Sequence, residues 1–70
     1  MQIPPVNSQV RWHDARKLKG AVGVVTSHYP LPFGCENGCF QHFWVEWQGT
    51  TVAGGFCPAT ADTQIHVVPS

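Results

Sequence analysis

Phe43-Trp44-Val45-Glu46-Trp47 is the stretch whose reading decides the fold. Phe43, Val45 and Trp47 alternate with Trp44 and Glu46, and a period of two places the first three on one face of a strand. Aromatic and β-branched side chains suit such a pleated, half-buried surface. A helix is excluded, because the i+3 and i+4 positions it would need fall on Gln48, Gly49, Thr50 and Thr51. Residues 41–47 are therefore the expected central strand of a small β-barrel.

Working outward, the same period recurs in weaker form. Val10 and Trp12 alternate with Arg11 and His13, a half-buried first strand. Residues 14–20 connect it onward through a single helical turn, with Asp14 as N-cap, Gly20 as stop and Leu18 folding back onto the barrel mouth. Residues 21–26 form a second strand in which Val22 and Val24 share a face and Gly23 marks a bend, a bulge or a close backbone approach. Residues 27–41 are a long excursion: Pro30 and Pro32 oppose regular pairing, and Asn37-Gly38 signals a tight turn. After a turn at Gly49, Thr51 and Val52 start another strand that Gly54-Gly55 interrupts. The last strand spans 63–68, with Ile65 and Val67 facing one way. Residues 1–9 are an extended or frayed lead-in, and 10–70 a single domain. About five short strands in 70 residues favour a closed or nearly closed barrel, since closure removes exposed edges.

A chain of this length buries only roughly 60% of its unfolded surface and needs a staple, a metal or a partner subunit. It has no apolar run near the ~18 residues of a membrane-spanning helix and no signal-like start, so a cytoplasmic location without membrane contact is expected. The net charge is +0, which removes the simplest argument for nucleic acid. All four basic residues, Arg11, Arg16, Lys17 and Lys19, nevertheless cluster in the first third of the chain. They form a stripe that would face a phosphate backbone or serve as a solvated loop.

Val10-Arg11-Trp12, Gly20-Ala21-Val22-Gly23-Val24-Val25 and the 43–47 strand together resemble the SH3-like barrels, including KOW-type and tudor-like variants. That resemblance implies an SH3-like barrel of about five strands with one long Pro/Gly/Cys-containing loop, and no single function. The chain also resembles, more narrowly, the plasmid-borne type II dihydrofolate reductases. Val10-Arg11 and Gly20 keep the spacing of that family's first strand, although Trp12 stands where the family has a lysine. Thr63-Gln64-Ile65-His66 matches its active-site strand. The resemblance implies an oligomeric enzyme with Gln64, Ile65 and His66 at the substrate and cofactor positions.

Cys35-x3-Cys39-x2-His42, with Cys57 further on, offers a Cys3His zinc site that would pin the long loop. The alternatives are one disulfide with a cysteine left over, or three reduced thiols with no cofactor, which is the expected state. No spacing ties a histidine to a cysteine as a catalytic pair. Trp44 falls on the face opposite Phe43 and Val45. With Tyr29, Phe33 and Phe40 it would form an apolar contact patch, unless the long loop covers it. The expected function is thus a non-catalytic binding module engaging a protein partner, or a second copy of itself, through Tyr29, Phe33, Phe40 and Trp44. The alternatives are a KOW-like nucleic-acid binder using Arg11, Arg16, Lys17 and Lys19, and the reductase-like enzyme.

Overall fold

The computed structural model describes residues 1–69; Ser70, the last residue of the expected domain, lies outside them. Five strands among the described residues, β1 (Gln9–Trp12), β2 (Gly23–Pro30), β3 (Gln41–Trp47), β4 (Ala53–Phe56) and β5 (Ile65–Val67), form one curled antiparallel sheet. Its order is β4-β3-β2-β1-β5. Short 3-10 turns at Lys17–Gly20 and Ala61–Thr63 join β1 to β2 and β4 to β5. Among the described residues, no helix is long and apolar enough to cross a membrane.

The alternation in β3 survives intact. Phe43 and Val45 are fully buried and Trp47 nearly so, while Trp44 and Glu46 point outward; Gln41, at the start of the strand on the Phe43 side, is exposed. Val10, Val25, Ala61 and Ile65 complete the buried cluster, with Trp12, Leu18 and Phe56 packed against it. Trp12 stacks on Trp47 at 4.9 Å between ring centroids. In β2 the buried positions are Gly23 and Val25; Val24, and Val22 just before the strand, are only half-buried. Gly23 serves as a close approach: the Trp47 ring and Val45 lie where its Cβ would be.

Two expectations are corrected, and a third is narrowed to one of its alternatives. The second strand does not stop at Thr26. A bulge between Val25 and Ser27 resets the register, and β2 continues against β3 through Ser27↔Trp44, His28↔Phe43, Tyr29↔His42 and Pro30↔Gln41. Pro30 is tolerated because the next pair carries the hydrogen bond: Leu31 N–H donates to Phe40 O at 2.9 Å, so an N–H at Pro30 would point away from β3. Nor do Gly54 and Gly55 interrupt a strand. They lie within β4, paired with Val45 and Trp44, because the Tyr29 hydroxyl occupies the space a Cβ on Gly55 would need. The lead-in, finally, is not frayed. Asn7 N–H donates to Val25 O (2.7 Å) and Val25 N–H to Ser8 O (2.9 Å). His28 Nε2 donates to Pro4 O (2.6 Å), Pro4 is buried, and Met1 and Ile3 pack against the core.

Residues 14–20 also differ from a simple helical turn. Asp14 Oδ1 accepts from Arg16 N–H at 3.0 Å and from Arg16 Nε at 3.2 Å. These bonds, the backbone one foremost, hold its carboxyl below the usual range. Leu18 and Lys19 then take left-handed conformations, φ 50° and 55°, before Gly20. That reversal brings Leu18 back onto the core, as expected from its position.

Candidate metal centre

The loop 31–40 is short enough to be closed at each level by backbone hydrogen bonds. Leu31 N–H reaches Phe40 O, Gly34 N–H reaches Leu31 O, Cys35 N–H reaches Cys39 O and Gly38 N–H reaches Cys35 O, all within 2.8–2.9 Å. Gly38, at φ 81°, supplies the left-handed residue of the innermost turn. Cys35 and Cys39 are therefore the two ends of one tight turn. Cys57 arrives from the other side, directly after β4. Its carbonyl accepts from Thr60 and Ala61 N–H and starts the second 3-10 turn.

The three sulfurs converge. Cys57 Sγ lies 3.7 Å from Cys39 Sγ and 3.8 Å from Cys35 Sγ, and all three lie within 4.8 Å of one another. Each is a free thiol, since a disulfide would require about 2.05 Å. Each side chain is half-buried. Around Cys57 the balance of forces favours the thiolate. Desolvation raises its pKa, but the Ala59 N–H, Asn37 Nδ2 at 3.6 Å and the Cys39 and Cys35 thiols all stabilise the anion, and the value falls to about 6. Cys39 moves the other way, raised by desolvation and by its hydrogen bond to Cys57. A cluster poised to hold one negative charge among three soft donors fits a thiophilic cation.

His42, the fourth expected ligand, is not among the three converging groups. It stands on the outer face of β3, edge-on to Tyr29 at 5.9 Å. The β3–β4 register reaches Phe43↔Phe56, so His42 and Cys57 are each one residue past the last pair. His42 Nε2 is buried and has no hydrogen-bond partner, a costly state for an imidazole nitrogen.

The expected aromatic patch is only partly assembled. Tyr29 meets Trp44 edge-on at 6.5 Å, and Trp44 remains 38% exposed. Phe40 borders a groove of about 570 Å³ with Met1, Ile3, Cys39, Pro58 and Ala59, and Phe33 stands 100% exposed at the loop. Three of the four basic side chains are engaged within the chain. Arg11 Nη1 donates to Gly20 O at 3.1 Å, Arg16 pairs with Asp14 and Lys17 Nζ lies 3.9 Å over the Trp12 ring. Of the three reductase-like positions, Gln64 and His66 are exposed and Ile65 is 1% exposed in the core. The contribution of Asn37 and Ala59 to Cys57 carried no signal in the sequence beyond the Asn37-Gly38 turn itself.

No match to this chain is found among protein-family models, curated proteins or solved structures.

Proposed function

We propose that this chain is a small, non-catalytic binding module whose contact loop is fixed by a zinc ion on Cys35, Cys39, Cys57 and His42. One observation carries the metal. Four ligands around a tetrahedral zinc at about 2.3 Å place sulfurs about 3.8 Å apart, and the Cys57 sulfur stands 3.7 and 3.8 Å from its two neighbours. His42, which like Cys57 stands one residue past the last β3–β4 pair, has an unpartnered Nε2 that would supply the fourth donor after a side-chain rotation. The chemistry is structural: four protein ligands leave zinc no open position for a substrate. The strand order and the 3-10 turn before the last strand support an SH3-like barrel for the scaffold.

With the loop pinned, Phe33 and Phe40 are presented to solvent at a fixed place, and exposed aromatic rings on a rigid support are what a protein partner buries. A nucleic-acid partner is disfavoured by the zero net charge and by the intramolecular engagement of Arg11, Arg16 and Lys17. Native mass spectrometry tests the metal: the purified chain gains the mass of one zinc and loses it to a chelator. A chain that takes up no zinc, or one zinc equally well after Cys57→Ser, would overturn that part. A photo-crosslinking residue in place of Phe33 tests the partner in the producing cell. Adducts with one predominant protein, or with a second copy, support the module, and adducts dominated by nucleic acid overturn it.

A further inference from the structure

The outer face of the β1–β5 edge holds a pair of metal-ligating groups. β1 and β5 pair through Arg11↔His66 and Trp12↔Ile65, so Arg11, His13 and His66 share the face turned from the core. Arg11 is drawn away to Gly20 O, which leaves the two exposed imidazoles side by side. Their planes lie within 18° of parallel, their centroids 5.1 Å apart and their Nδ1 atoms 3.2 Å apart. His13 Nε2 lies 2.7 Å from Asp62 O. A carbonyl only accepts, so that nitrogen carries the proton and His13 Nδ1 presents its lone pair. Two facing lone pairs would repel, so His66 Nδ1–H donates across the gap.

We propose that His13 and His66 form a bidentate imidazole site for a borderline divalent cation (zinc, nickel or copper(II)) that clamps β5 to β1. Imidazole nitrogens bound at about 2.0–2.1 Å and subtending about 90–109° at the metal stand about 2.9–3.4 Å apart. The observed 3.2 Å separation falls within that range. Uptake shifts the His66 proton from Nδ1 to Nε2, so both Nδ1 lone pairs face the cation and no proton leaves the protein. The His13 bond to Asp62 O is the kind of outer hydrogen bond that fixes a ligating ring and makes it a better donor. Nitrogen donors select against magnesium and calcium, and water completes the coordination. The clamp holds a strand of three residues at the sheet edge, where only one neighbour pairs with it.

The test is titration of nickel(II) into the tag-free, full-length protein whose thiol cluster has first been filled with one equivalent of zinc, followed by calorimetry and by NMR of the imidazole protons. We expect the His13 and His66 ring signals to broaden first, with binding in the micromolar range. His13→Ala and His66→Ala should each weaken that binding at least tenfold, and His28→Ala should leave it unchanged. Both replaced side chains are exposed, and an unchanged far-ultraviolet spectrum confirms that the variants fold. Broadening that begins at the 31–40 loop or at His28, or nickel affinity unchanged in His66→Ala, overturns the proposal.

Discussion

A Cβ built on Gly23 would stand 2.5 Å from Val45 Cγ1 and 2.8 Å from the Trp47 ring. Neither neighbour can withdraw, since both sit in the buried cluster. Gly23→Ala should therefore destabilise the fold by about 1–3 kcal/mol in urea unfolding, the usual cost of overpacking. Gly54 has nothing within 4 Å of the same virtual atom and no positive φ, so Gly54→Ala should be neutral or gain about 0.5 kcal/mol. At Cys57 the prediction concerns protons. Its pKa in the folded chain, about 6, lies below the ordinary thiol value. The stabilisation is thus full above the ordinary thiol range and is lost as pH falls through about 6. In metal-free, reduced protein, Cys57 should be the first thiol alkylated, with a rate that halves near pH 6, while Cys39, raised, lags behind it. Mass mapping of the alkylated cysteine checks both, and a protecting effect of added zinc links the reactivity to the proposed centre.

Among the elements, β3 was legible because each inward position from Phe43 to Trp47 is aromatic or β-branched and the outward ones are not required to be. The far half of β2 was not. Its Ser27, His28 and Pro30 look like loop residues, and only the bulge after Val25, which depends on β3, restores them to the ladder. Gly54-Gly55 misled for a related reason: a side chain from β2 two strands away fills the space over Gly55. The connection at 17–20 shows a local conflict that survived folding. Lys19 is exposed and left-handed at φ 55°, a conformation that costs a residue with a Cβ roughly 1 kcal/mol. Leu18 shares the strain but its side chain is held by the core. Lys19→Gly should then raise stability by up to about 1 kcal/mol, read as a higher thermal midpoint, whereas Leu18→Gly should lower it. A fall in midpoint for Lys19→Gly would mean that the reversal is not strained in solution.

At the scale of the whole molecule, the buried cluster among the described residues holds seven side chains, which is little for a 70-residue chain to hold itself together. The cysteine spacing made a metal thinkable from sequence, yet Cys57 lies 18 residues beyond Cys39, and nothing but the folded β3–β4 hairpin brings it back. What argues against a disulfide is a distance between sulfurs, which sequence does not carry. A zinc ion present at 100–1,000 times its dissociation constant would add about 2.7–4.1 kcal/mol. In a domain of this size that corresponds to a shift of more than about 10 °C in the thermal midpoint. Chelation should lower the midpoint of the zinc-loaded protein by that much, and one equivalent of zinc should restore it. Cys57→Ser should melt where the stripped protein melts and ignore the chelator. His42→Ala should fall between the two, because three thiolates still bind zinc but lose one donor. Equal midpoints with and without chelator would leave the small core sufficient alone, and the loop that displays Phe33 would then need another explanation for its shape.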